Sequence, residues 1–158
     1  ERVFLPGVGS AGFAMEALQS KGLDSVIQDL TQPVLGICLG MQLLFTSSTE
    51  GDTSCLDIIP GEVSMMDTNK QRLPHMGWNT MVNFKDHPLL EGITAKDYFY
   101  FVHSYCIKDN EATIGLCDYG QSFSAAVAFN NFMGVQFHPE RSSKVGSQVL
   151  QNFLEISS

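Results

Sequence analysis

Two short apolar runs in the first third of the chain end in glycine-bearing turns. Val3-Phe4-Leu5 leads into Pro6-Gly7-Val8-Gly9-Ser10, and Pro33-Val34-Leu35-Gly36-Ile37 leads into Cys38-Leu39-Gly40. Runs that stay apolar rather than alternate are the pattern of strands covered on both faces. Between them, Phe13, Ala14, Ala17 and Leu18 share one face at helical spacing, and Leu23, Val26, Ile27 and Leu30 mark a second helical piece. Strand, helix, strand predicts parallel pairing with helices on the faces of the sheet. Residues 46–57 turn polar and read as a loop, 61–66 as a strand, and 73–79, with Pro74 and Gly77, as a loop. Residues 97–107 carry Tyr98, Phe99, Tyr100, Phe101 and Tyr105 and read as one strand. Further strands are expected at 112–118, 125–129 and 132–137, with Asn130-Asn131 as a hairpin turn between the last two. Val145, Val149, Leu150, Phe153 and Leu154 form the apolar stripe of a C-terminal helix. The expected fold is a three-layer α/β domain over 1–158, with a mixed, largely parallel sheet, flanking helices and no internal repeat or linker.

Composition narrows the function classes. A length of 158 residues suits one domain. With 44% hydrophobic and 16% charged residues, the chain has the apolar area that disordered polyampholytes lack. A formal charge of −8 argues against nucleic-acid or anionic-membrane binding through a general basic surface. No apolar run approaches the ~20 residues needed to span a bilayer. Cys38, Cys55, Cys106 and Cys117 form no C-x-x-C pair, and the four histidines are scattered, so no metal or cofactor is expected. Cys106 and Cys117 read as small buried hydrophobes, and the thiols as reduced in a cytosol-like compartment. The abrupt Glu1-Arg2-Val3 opening suggests a chain that starts inside a domain.

Gly36-Ile37-Cys38-Leu39-Gly40 stands where an apolar strand meets a helix. In a G-x-nucleophile-x-G turn the central side chain projects above the sheet, and the flanking glycines give the sharp turn room. Position at a helix N-terminus favours the thiolate of Cys38, and the next backbone N–H, that of Leu39, faces a developing oxyanion. Val135-Gln136-Phe137-His138-Pro139-Glu140 ends a strand, where open α/β sheets place their chemistry. Glu140, two residues on, is placed to orient the His138 imidazole as a triad carboxylate does.

The stretches 33–42 and 134–140 together resemble the class I, triad-type glutamine amidotransferases. Within that family, Leu5-Pro6-Gly7-Val8-Gly9, Leu73-Pro74-His75-Met76-Gly77-Trp78-Asn79 and the stretch 98–105 resemble the glutaminase subunits of imidazole glycerol phosphate synthase. The resemblance implies Cys38, His138 and Glu140 as the catalytic set and glutamine as the substrate. It implies backbone donors from Leu39 and the Val8-Gly9 loop as the oxyanion site, and Gly9, Gln42, Glu50, Ser104 and Tyr105 as substrate contacts. It also implies a (β/α)8-barrel cyclase subunit as partner, with Arg141 at the interface and His75 and Trp78 facing that partner. Members of the family begin with a further βα unit, so this chain is expected to lack its N-terminal βα segment. A glutaminase serving another acceptor, a catalytically silent partner-binding module and a cysteine peptidase stay open as alternatives.

Overall fold

The computed structural model describes residues 1–157. β1 (Val3–Leu5) and β2 (Val34–Ile37) enclose α1 (Ala11–Ser20) and α2 (Leu23–Gln28), and α3 (Leu39–Leu43) follows the elbow at Cys38. Then come β3 (Phe45–Ser48), β4 (Thr53–Ser54), β5 (Ile59–Met65), β6 (His75–Thr80), β7 (Tyr98–His103) and β8 (Tyr105–Cys106). β9 (Thr113–Asp118), β10 (Ser122–Phe129), β11 (Phe132–Val135) and α4 (Ser143–Glu155) complete the chain.

The central sheet runs β1-β2-β11-β10-β9. β2 is parallel to both β1 and β11, with Leu5 opposite Gly36 and Val135 opposite Ile37. Three carboxyl ends therefore meet at one edge, and the segments that leave them carry the Pro6–Ser10 loop, Cys38 and His138. Alternation along the strands splits the core in two. Leu35, Met133 and Val135 face Phe99 and Phe101 of β7 and Val149 and Phe153 of α4. Val34, Val127 and Phe132 face Ala11, Met15, Ile27 and Met41 of the first three helices. The three-layer α/β expectation holds in this form.

The details differ from the sequence reading where burial overrides pattern. The sheet is mixed but divided: β4-β3-β5-β8 forms a second sheet and β6-β7 a two-stranded ribbon. Among the described residues, parallel pairing is confined to β1-β2-β11 and to β3 with β5. β1 lies at a sheet edge with Phe4 42% exposed, so it is not covered on both faces. α1 buries Ala11 and Met15, while Phe13 stays 75% exposed, because the packed stripe is one step away from the expected one. The polar 46–57 segment contains β3 and β4, whose Ser and Thr side chains suit a strand with one wet face. The 73–79 segment holds β6, paired residue for residue with β7 from His75↔His103 to Thr80↔Tyr98. The single strand expected over 97–107 breaks at Ser104 into β7 and β8, which pair with different partners. The Asn130-Asn131 hairpin is present, with Phe129 opposite Phe132.

The tightest point of the fold is the elbow. A Cβ on Gly40 would lie 1.7 Å from the Leu5 carbonyl oxygen, and one on Gly36 would lie 2.7 Å from the Met41 nitrogen. Backbone therefore packs on backbone where β1, β2 and α3 cross, and no rotamer change relieves an added methyl. Gly40→Ala is expected to destabilise the protein by about 3 kcal/mol or more. The check is the urea midpoint at unchanged slope; a midpoint like that of the parent protein would contradict this account.

Candidate active site

Cys38 takes φ 54° and ψ −110°, an unusual backbone for a residue with a side chain. Its N–H donates to the Val135 carbonyl at 2.8 Å, and its carbonyl accepts from the Gln42 N–H at 3.2 Å. The strain is thus held by β11 on one side and by the first turn of α3 on the other. The sulfur lies 3.8 Å from the Val102 carbonyl oxygen and 3.7 Å from the Gln136 amide nitrogen, which donates to it. Burial pushes the Cys38 thiol up to about 11; the Leu39 N–H opposes this, the Glu140 carboxylate adds to it and Gln136 opposes it. The resting group is therefore a thiol. The expected thiolate preference is overridden, because α3 has only five residues and the desolvation is larger than what its N-terminus offers.

His138 follows β11 and is fixed from three directions. Its N–H donates to the Tyr100 carbonyl at 2.9 Å, and its own carbonyl accepts from the Ser142 hydroxyl at 2.7 Å. Its Nδ1 meets Glu140 Oε1 at 2.7 Å, where the Pro139–Arg141 turn bends the carboxylate back. Nδ1 engaged in this way leaves Nε2 as the nitrogen for chemistry. The His138 side chain is buried and that of Glu140 is 52% exposed.

A cavity of about 360 Å³ collects the rest. Cys38, His138, Val8, Gly9, Leu39, Gln42, Glu50, Ser104 and Tyr105 all line it, and Glu140 stands behind His138. Every expected oxyanion and substrate residue is thus gathered at Cys38. Glu50 Oε2 also accepts from the Ala11 N–H at 3.3 Å, which joins the cavity wall to the start of α1. Gln42 is buried, donating from Nε2 to the Tyr105 carbonyl at 3.0 Å and to Gln136 Oε1 at 3.1 Å. The sequence reading assigned no role to Gln136 or His103. Gln136 is fully buried against the sulfur, and His103 lines the cavity beside Ser104. Both lie in stretches that carry the family resemblance, each within two residues of an expected site residue, but neither residue type at that place pointed to a role.

Of the residues expected at an interface, Arg141 and Trp78 lie at the surface around Tyr100. The Arg141 guanidinium is 5.2 Å from the Tyr100 ring centre, and Trp78, 51% exposed, meets the same ring edge-on at 5.9 Å. His75 departs from the expectation: it is 3% exposed and points inward, because alternation along β6 turns Met76 and Trp78 outward and His75 toward the core. Its Nδ1 lies 2.9 Å from Nε2 of His103. Burial lowers His75 to about 4 and His103 to about 3, so both are neutral at ordinary pH. Among the described residues, no group of three or more His, Cys, Asp or Glu side chains is placed to hold a metal ion, and no helix is long and apolar enough to cross a membrane.

A family model, glutamine amidotransferase class-I, matches residues 1–156. Among curated relatives, the imidazole glycerol phosphate synthase subunit HisH of Colwellia psychrerythraea is 51% identical, with the match covering 100% of this chain and 77% of the relative. Subunits of the same name are 52% identical in Shewanella sediminis (98% and 73% covered) and 48% identical in Vibrio cholerae (99% and 80% covered). Among solved structures, a glutamine amidotransferase superposes with a TM-score of 0.72 at 15% identity, covering 98% of this chain and 77% of that one. A glutamine amidotransferase from Thermotoga maritima gives 0.64 at 16% identity, covering 97% and 61%. At such identities these two likenesses speak for the fold alone.

Two pH responses follow from the geometry. Because the Cys38 thiol titrates near 11, its alkylation by iodoacetamide should rise about tenfold per pH unit between about pH 7 and 10, read by mass spectrometry of the Cys38 peptide. Glu140→Gln should move that profile to lower pH, since the carboxylate opposes the thiolate. A flat profile would contradict the buried-thiol account. The buried histidines act on stability. Their folded pKa values lie below the ordinary 6.5, so between about pH 6.5 and 4 the unfolded chain binds protons that the folded chain refuses. Stability should therefore fall as the pH drops through that window, and fall less in His75→Asn, as measured by urea denaturation at several pH values.

Proposed function

Because the chain belongs to the class-I glutamine amidotransferases, we propose that Cys38, His138 and Glu140 are its catalytic triad and that the cavity above them takes glutamine. The enzyme is a glutaminase subunit of imidazole glycerol phosphate synthase, releasing ammonia for histidine biosynthesis. The observation that carries the residue assignment is the joint placement of a strained elbow cysteine, a carboxylate-held histidine and Glu50 around one cavity.

The chemistry follows from the resting states. His138 Nε2 takes the Cys38 proton as the sulfur attacks the side-chain amide carbon of glutamine, which balances the cost of a buried thiolate with an imidazolium facing Glu140. The tetrahedral oxyanion lies toward the Leu39 N–H and the Val8-Gly9 loop; losing one such donor typically costs ~2.7–4 kcal/mol of transition-state stabilisation. Collapse breaks the C–N bond, and His138 gives its proton to the departing nitrogen, leaving ammonia and a thioester. Water, deprotonated by the same imidazole, then attacks the thioester, releases glutamate and returns the proton to sulfur. Glu50 is the acid suited to the substrate's α-ammonium group, and the Ser104-Tyr105 segment borders its carboxylate end.

The product ammonia passes to a cyclase subunit, for which a (β/α)8-barrel docking at the Trp78–Tyr100–Arg141 surface is our reading. The exposed aromatic flanked by a guanidinium has the make-up of an interface anchor. A cytoplasmic setting, without nucleic-acid or membrane partners, accompanies this reading.

Cys38→Ala, assayed with the cyclase partner, is expected to release no glutamate from glutamine, and Glu140→Gln to lose about 10²–10⁴-fold in kcat. Glutamate release by the alanine variant at the parental rate would overturn the triad.

A further inference from the structure

A continuous line of hydrogen bonds runs beneath the site, and its direction is set at both ends by backbone carbonyls. Asn79 Nδ2 donates to the Asp118 carbonyl at 2.8 Å and lies 3.3 Å from His75 Nε2, while Asn79 Oδ1 accepts from the Thr80 N–H. His103 Nδ1 lies 2.9 Å from the Tyr105 carbonyl, which only accepts, so the proton of His103 is on Nδ1. His103 Nε2 is then an acceptor, and His75 must donate to it from Nδ1 at 2.9 Å. His75 Nε2 in turn accepts from Asn79. Every tautomer and amide orientation is determined, and a second proton on either ring would set two donors against each other. The His75 ring is clamped between Phe101 (centres 4.9 Å apart) and Tyr119 (4.1 Å), both near-parallel to it.

The far end reaches the chemistry. The Tyr105 carbonyl also accepts from Gln42, Gln42 donates to Gln136, and Gln136 donates to the Cys38 sulfur. The residues between His103 and this carbonyl are Ser104 and Tyr105, both on the cavity wall. The chain passes from β7 to β8 at this point, and of the Ser104 backbone the carbonyl is held, accepting from the Met66 N–H at 2.9 Å.

We propose that His75 and His103 are positioning residues of the glutaminase site: the pair adds to the Met66–Ser104 backbone bond, holds Ser104-Tyr105 in place for substrate, and orients the Gln42 amide and, through it, the Gln136 amide that donates to Cys38. The proposal rests on the triad reading, and its test separates the two. His75→Leu touches neither the cavity nor the sulfur. In the complex with the cyclase it is expected to raise KM for glutamine about tenfold with a smaller loss in kcat, the scale of one buried hydrogen bond. In the chain alone it is expected to slow iodoacetamide capture of Cys38 at fixed pH severalfold. His75→Asn, whose amide keeps a donor toward His103, is expected to recover most of both. Asn79→Leu, which frees the His75 tautomer without opening the aromatic clamp, carries the same expectation should the leucine variant at 75 not fold. A folded His75→Leu or Asn79→Leu variant with parental KM and parental capture rate would overturn the proposal, as would an asparagine at 75 no better than leucine. The capture assay needs no glutamine, so parent protein that releases no glutamate overturns the triad reading, and unchanged capture overturns the positioning role.

Discussion

Backbone contact at the elbow is the constraint on which the rest of the molecule depends. β1, β2 and the first turn of α3 cross so closely that the Leu5 carbonyl occupies the place of a Gly40 side chain. That crossing sets Cys38 in its strained positive-φ conformation and brings the loop after β1 alongside Leu39. The parallel pairing of β2 with β11 then delivers His138 to the same edge. The Cys38 elbow, His138 and the loop after β1 come from three chain segments far apart in sequence, and adjacent parallel strands bring them to the same edge without a long irregular connection.

Burial keeps the Cys38 sulfur protonated at rest. A thiol buried in the core half that faces β7 and α4 is a poor nucleophile at rest, and the groups around it act in opposed directions. Leu39 and Gln136 favour the thiolate, while desolvation and Glu140 disfavour it. Glu140 is near because its Oε1 meets His138 Nδ1 at 2.7 Å, so its unfavourable effect on the sulfur comes with that contact. Its half-exposed position moderates the effect, since water screens an exposed carboxylate. Tyr100 joins this region to the surface: its carbonyl holds His138, its N–H donates to Ser142, and its ring lies under Arg141.

Much of this was legible in the residues themselves. Gly36, Cys38 and Gly40 announce a turn too tight for side chains, and the apolar run before them announces a buried strand. His138 and Glu140, two apart after another such run, announce a base with its carboxylate. The ribbon of β6 and β7 was hidden, because Pro74 and Gly77 read as loop while the pairing with an aromatic strand outweighs their local preference. The packed face of α1 was misjudged by one step, because an exposed Phe13 carries the same hydropathy as a buried one.

The sequence by itself determined the chemistry on offer: a thiol in a glycine-flanked elbow, an imidazole with a carboxylate two residues on, an acid at Glu50, and helices that flank a sheet. These are local properties of residue type and spacing. Only the tertiary structure decided the protonation state of Cys38, the inward turn of His75 and the service of Gln136, His103 and Asn79. Burial, strand alternation and hydrogen-bond direction arise between segments that meet only on folding, so no local pattern of the chain encodes them.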